Sequence, residues 1–182
     1  AIQLKVDFAQ AHSNLGNAFQ EQGDLTAAIT SYRKAIQLNI NCLVTHYNLG
    51  NALKKKGDLI AAIDSYHTAL RLKPNFPEAC HNLGATYQIQ GDITKAIMSY
   101  HRALKLKPNY PEAFNSLGNT LKEKGELQAS IFSYDRALQL KPDYPEAHNN
   151  LGIALKEKGN LIAAINSFNQ ALQLKPDYPE AH

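Results

Sequence analysis

The chain has 182 residues, a net charge of +3 and a mean hydropathy of −0.37, with 44% hydrophobic residues. That balance is ordinary for a soluble protein, and no apolar run approaches the length needed to span a bilayer, so no membrane contact is expected. The charge is too small and too mixed for a nucleic-acid binder. The densest basic run, Lys54-Lys55-Lys56, has mixed-sign counterparts at Lys122-Glu123-Lys124 and Lys156-Glu157-Lys158 and reads as a solvated helix end. Cys42 and Cys80 form no CxxC pair and read as small apolar residues in a reducing, cytoplasmic compartment.

Gly16, Gly50, Gly84, Gly118 and Gly152 recur every 34 residues. With these at position 8, the blocks run 9–42, 43–76, 77–110, 111–144 and 145–178. Residues 1–8 match positions 27–34 of a preceding copy, and residues 179–182 match positions 1–4 of a following one. A single array cut from a longer one is therefore expected. All ten glycines fall at positions 8 and 15, and all eight prolines at positions 32 and 1. Backbone-special residues tied to one period mean one supersecondary unit copied along an axis.

In chain order, each block predicts two helices separated by Gly-Asp, Gly-Glu or Gly-Asn. Glycine at position 15 (Gly23, Gly57, Gly91, Gly125, Gly159) supplies a left-handed residue to end the first helix. The polar residue after it can cap the second. In block 2 that second helix carries one apolar stripe: Leu59, Ala62, Ile63, Tyr66, Ala69, Leu70 and Leu72. Position 24 repeats as Tyr32, Tyr66, Tyr100, Tyr134 and Phe168. Proline at position 32 stops the second helix, and proline at position 1 suits the first turn of the next. Glycine at position 8 and alanine at positions 20 and 27 allow close helix approach. Ser130 replaces one of these alanines, and its hydroxyl can bond back to its own helix. Position 32 is Ile40 in block 1 and Val6 in the copy before it, so those junctions are expected to bend less sharply.

Leu-Gly at positions 7–8, Gly at 15, Ala at 20, Tyr or Phe at 24, Ala at 27 and Pro at 32 resemble the tetratricopeptide repeat over the whole chain. The resemblance implies an all-α, right-handed superhelical α-solenoid with the first helices lining a concave side. Position 4, often aromatic in that family, is here His12, His46, Cys80, Phe114 and His148.

On the first helices, positions 2, 6, 9 and 13 share a stripe. Position 6 is Asn14, Asn48, Asn82, Ser116 and Asn150; position 9 is Asn17, Asn51, Ala85, Asn119 and Ile153. Asparagine is a mediocre helix former, so helix building does not call for it. Its amide can pair with both the C=O and the N–H of an extended peptide. Alternatively, each asparagine bonds a neighbouring repeat and fixes the geometry of the array. The spacing is similar to the asparagine ladder of O-linked N-acetylglucosamine transferases, and Asn115 stands beside the gap left by Ser116. Tyr47 and His81 at position 5 could stack on ligand side chains, and Glu78, Glu112, Glu146, Lys54, Lys122 and Lys156 could tune charge preference. A carboxylate clamp of the chaperone-binding kind is not expected, because position 5 carries no lysine and position 6 no arginine.

The histidines lack metal-ligand spacing and read as junction or part-buried residues; His67 and His101 are expected to be exposed. Met98 and Phe132 lie at position 22, off the apolar stripe, as scattered surface residues or a small contact site on the outer side. No nucleophile elbow, phosphate loop or metal-spaced carboxylates appear, so no catalytic residue, metal or cofactor is expected within the chain. The expected function is capture of a protein or peptide in extended conformation. The parent protein is then either a transferase using the array to select substrates or a non-enzymatic scaffold. End-to-end self-association through uncapped repeats is also expected.

Overall fold

In the computed structural model the described residues are 2–176, with side chains from Phe8 onward. They are all helical, with ten helices and no strand. The first compact unit, Ala1–Asp92, carries α1 (Ile2–Gln22), α2 (Leu25–Leu38), α3 (Leu43–Lys56), α4 (Leu59–Leu72) and α5 (Pro77–Gln90). The second, Ile93–His182, carries α6 (Ile93–Leu106), α7 (Pro111–Glu123), α8 (Leu127–Leu140), α9 (Pro145–Glu157) and α10 (Leu161–Leu174). The architecture is that of an all-α solenoid built from helix hairpins.

In the first unit α1 pairs with α2 and α3 with α4, while α3 also packs on α2 and α5 on α4. In the second, α7 pairs with α8 and α9 with α10, with α6 against α7 and α8 against α9. The first helices α3, α7 and α9 are thus each held by their own hairpin partner and by the second helix before it. The core between them is small-residue packing around one ring per repeat. Ala28, Ala62, Ala35, Ala69 and Ala137 are fully buried, and so are Tyr32, Tyr66 and Tyr134. Ser130 is also fully buried and donates to its own helix at Leu127 O, 2.8 Å away.

Position 8 is glycine for a more specific reason than close approach of two axes. A Cβ on Gly16 would lie 2.5 Å from Tyr32 Cε1, and one on Gly118 would lie 2.5 Å from Tyr134 Cε1. The glycine is the seat of the position-24 ring. The hairpin turn needs its glycine for another reason. Gly57 ends α3 at φ +88, and its N–H bonds back to Lys54 O at 3.1 Å. Asp24, Asp58 and Asn160 then cap α2, α4 and α10 by accepting from the backbone N–H three residues on; Glu126 makes no such bond to α8.

Pro77, Pro111 and Pro145 open α5, α7 and α9 at the first turn, after second helices that end on an extended lysine such as Lys73 (φ −139, ψ 94). The residue before a proline is pushed out of the helical region, which makes the stop sharp. The junction after block 1 has no proline, yet it does not bend less. Asn39 takes φ −143 and ψ 95, nearly the same geometry. Its Oδ1 accepts from Asn41 N at 3.2 Å, and His46 Nε2 lies 2.8 Å from Ile40 O. An Asx turn takes the place of the two prolines, beside an imidazole tie that the proline-bearing junction at His148 also makes. At the other junction without proline, α1 runs unbroken through the boundary between residues 8 and 9. The end residues expected to self-associate, Ala1, Ile2 and Leu4, and the segment 179–182, lie outside the residues with described side chains.

Candidate peptide-binding face

The first helices α1, α3, α5, α7 and α9 present positions 6 and 9 one turn apart, so blocks 1, 2 and 4 place two polar side chains on one stripe and blocks 3 and 5 place one. The structure brings these side chains together across repeats. Asn48 Nδ2 donates to Asn17 Oδ1 at 2.9 Å, and Asn82 Nδ2 donates to Asn51 Oδ1 at 3.0 Å. The same oxygens receive a second bond from beneath: Tyr32 OH donates to Asn17 Oδ1 at 2.8 Å and Tyr66 OH to Asn51 Oδ1 at 2.8 Å. A position-9 asparagine therefore uses both lone pairs of its oxygen, one for the hydroxyl of its own hairpin and one for the amide of the next repeat.

The second unit varies the scheme. Tyr134 OH donates to Asn119 Oδ1 at 2.7 Å, but Asn150 Nδ2 donates to Asn115 Oδ1 at 3.0 Å. Asn115 is buried, so it serves as an acceptor between repeats beside half-buried Ser116. Tyr100, whose block carries Ala85 at position 9, hydrogen-bonds Ser116 and Thr120 instead. Block 5 has Ile153 at position 9 and Phe168, with no hydroxyl, at position 24. Asn149 is buried at the position equivalent to Asn115, and its Oδ1 has no hydrogen-bond partner among the described residues.

Burial keeps these hydroxyls protonated. It pushes the Tyr32 phenol up to about 12, with the Glu21 carboxylate adding to the effect. Burial likewise raises Tyr66, Tyr100 and Tyr134 well above the ordinary tyrosine value. They act as fixed hydrogen-bond donors in the physiological range. The tyrosine hydroxyl is the functional group that the hydrophobic pattern misses, since it counts the ring as core. A signal was nevertheless present. Asn17, Asn51 and Asn119 at position 9 accompany tyrosine at position 24, and Ile153 accompanies phenylalanine.

Other predicted groups fall around this stripe. Asn14 is exposed and its Oδ1 accepts from Gln10 Nε2 at 2.9 Å. The half-buried Tyr47 ring packs against Phe76 with centroids 4.8 Å apart, and its hydroxyl accepts from Asn82 Nδ2 at 2.9 Å. Burial raises the Tyr47 phenol, and Glu78 raises it further. Lys54 donates to Asn82 Oδ1 at 3.4 Å, and burial, with Lys55 nearby, lowers its ammonium. Lys122 lies 3.7 Å from Glu157. His81 is half-buried on α5. His46 and His148 tie junction carbonyls at 2.8 and 2.9 Å, which explains histidine at position 4. Among the described residues no group of three His, Cys, Asp or Glu side chains converges to hold a metal, and no helix is long and apolar enough to cross a membrane.

Repeated helix hairpins with a polar stripe on the first helix of each define a protein-interaction module. The chain belongs to the tetratricopeptide repeat family: models of the TPR repeat match residues 16–57, 50–91, 87–125 and 118–159, and the tetratricopeptide repeat model matches 145–178. No curated protein sequence matches the chain. It is similar to a crystal structure of MamA, with 26% identity, 93% of each chain covered and a TM-score of 0.83. A second likeness is to MamA from Desulfovibrio magneticus RS-1, at 21% identity and TM-score 0.86, covering 95% of this chain and 98% of that one. A third is to YrrB, described as a TPR protein with an unusual peptide-binding site, at 24% identity and TM-score 0.76, covering 93% of this chain and 88% of that one. The last two likenesses are of fold alone.

Proposed function

We propose that the chain holds extended protein segments along the stripes that positions 6 and 9 of the first helices form within each of its two units. One observation carries this reading. After the bonds between repeats are made, Asn48 and Asn150 each keep one amide N–H and a carbonyl oxygen unengaged by any described residue. A donor and an acceptor on one amide match the alternating C=O and N–H of an extended backbone. Asn82 differs, because its amide donates to both Asn51 and Tyr47 and its oxygen receives Lys54. The first-unit stripe therefore offers backbone contacts at Asn14 and Asn48, with Asn82 acting as a brace, and the second-unit stripe offers them at Asn150. Tyr47 and His81 flank the first-unit stripe, and Glu78, Glu112, Glu146, Lys54, Lys122 and Lys156 set charge preference.

The array then acts as a scaffold for protein assembly. The narrower reading, a substrate-selecting array of an O-linked N-acetylglucosamine transferase, rests on asparagine spacing. Bonds between repeats account for much of that spacing without a ligand. A transferase domain on the parent polypeptide would restore the narrower reading.

The test is a screen of the chain on an immobilised peptide array, followed by fluorescence anisotropy on the tightest peptide. Asn48→Ala combined with Asn150→Ala removes up to two backbone hydrogen bonds in each unit. At about 0.5–1.5 kcal/mol each, affinity should fall ~10-fold or more while helicity is kept. Asn82→Ala should lower stability more than affinity. Unchanged affinity in the double variant would sink the proposal.

A further inference from the structure

The second helices carry a feature unrelated to the asparagine stripe. Met98 on α6 and Phe132 on α8 occupy position 22 of adjacent repeats and are 66% and 62% exposed. Position 22 is Thr30, Asp64 and Asn166 in the other blocks, so helix packing does not demand a large apolar side chain there. Between α6 and α8 runs an open groove of about 510 Å³. Leu104 and Phe132 form its apolar walls, and Phe114, Leu117 and Leu121 of α7 form its floor.

The first unit supplies an internal comparison. Its corresponding groove, of about 400 Å³, is lined by Arg33, Gln37, His46, Asp64 and Thr68 along with Ile36 and Leu49. The same place in the fold carries two phenylalanine rings in the second unit and none in the first. The difference lies in a few positions: Phe114 for His46 at position 4, and Phe132 for Asp64 at position 22.

Charge on the second-unit groove is asymmetric. Lys105 and His101 line the α6 side and make no hydrogen bond or ion pair among the described residues. Arg136 of α8 stands over the Phe114 ring, 5.8 Å from its centroid. The only carboxylate in the lining is Glu126, and Lys124 neutralises it at 2.8 Å. The groove thus combines an apolar trough with uncompensated positive charge on one wall. A large apolar side chain such as Phe132, exposed in the wall of such a trough, is typical of contact surfaces.

We propose that the groove between α6 and α8 is a second docking site, for a protein segment carrying an aromatic side chain and a neighbouring carboxylate. The ring enters between Phe132 and the α7 floor, and the carboxylate pairs with Lys105. An array holding one partner on its first helices could in this way carry a second on its second helices. The proposal does not depend on the asparagine stripe.

The experiment titrates the ¹⁵N-labelled chain with two capped tripeptides, acetyl-Leu-Phe-Glu-amide and acetyl-Leu-Phe-Lys-amide, following amide shifts by NMR. The acidic peptide should give saturable shifts centred on His101, Lys105, Phe132 and Ser133, with several-fold tighter binding than the basic one. Lys105→Glu should reverse that order. Phe132→Asp should abolish the shifts and leave helicity and peptide binding to the asparagine stripe intact. Shifts that do not saturate, shifts confined to α3 and α9, or equal affinity for both peptides would each overturn the proposal. So would self-association of the chain that Phe132→Asp removes, since the occupant would then be a second copy.

Discussion

The pairing of positions 9 and 24 can be tested with a cycle in the second unit. Tyr134 is fully buried, and its hydroxyl donates to Asn119 Oδ1 at 2.7 Å. Asn119→Ile removes the acceptor and leaves a buried hydroxyl unsatisfied, at a cost of about 1–3 kcal/mol. Tyr134→Phe removes the donor. Because Asn119 is half-buried, water can take up its oxygen, and the expected loss is ~0.5–1.5 kcal/mol. The double variant reproduces the Ile153 and Phe168 pair of block 5, in which both polar groups are absent. Removing both partners together should be nearly neutral, which gives a coupling equal to the sum of the single losses, about 1.5–4.5 kcal/mol. The assay is urea unfolding followed by circular dichroism, with slopes compared as well as midpoints because repeat arrays can lose all-or-none behaviour. Single-variant losses that simply add, to within about 0.5 kcal/mol, would refute the reasoning.

Gly118→Ala should destabilise despite the better helix propensity of alanine. The new Cβ meets the Tyr134 ring at 2.5–2.9 Å, and overpacking of about 1–3 kcal/mol outweighs a propensity gain of about 1 kcal/mol. A raised melting temperature would contradict this. Asp58→Ala should lower stability by about 1 kcal/mol through loss of the bond from Ala61 N, whereas Glu126→Ala, which removes no cap bond, should not; paired thermal melts check this. Raised phenol values mean that the folded chain holds those protons more tightly than the unfolded chain. Stability should therefore be full below pH 10 and fall as pH rises towards about 12 for Tyr32, with the more deeply shifted tyrosines continuing the loss at higher pH. Circular dichroism recorded alongside tyrosinate absorbance should show unfolding and ionisation together; early ionisation with helicity intact would argue against it.

Helix positions, hairpin turns and the small-residue core could be read from Gly, Ala and Pro because those residues act through sterics and backbone freedom, which need no knowledge of partners. The junction after block 1 escaped that logic. Asn39 and His46 stop and redirect the chain with side-chain hydrogen bonds, and such bonds depend on a geometry that spacing alone does not supply. The candidate site was legible in part. Asparagines at positions 6 and 9 stood out as residues with no role in building a helix. Their division of labour did not, since Asn17 and Asn51 face inward to a tyrosine as well as across to the next repeat. Asn115 looked like a stand-in for the missing asparagine at Ser116, but the turn of the helix takes it into the buried seam with Asn150.

The hairpin turns bear on how the chain folds. Five turn glycines stand at φ +86 to +89, and a Cβ at any of them would meet nothing within 4 Å. Their conformation is written into the backbone and does not wait for a neighbouring repeat. The tyrosine–asparagine bond that closes a hairpin joins residues only 15 apart, as in Tyr66 to Asn51. Nucleation is therefore short-range and available in each complete hairpin, and growth from any of them can proceed in either direction. A lesion in one repeat should slow its own closure and leave the others free to start, so the kinetics belong to several interchangeable nuclei.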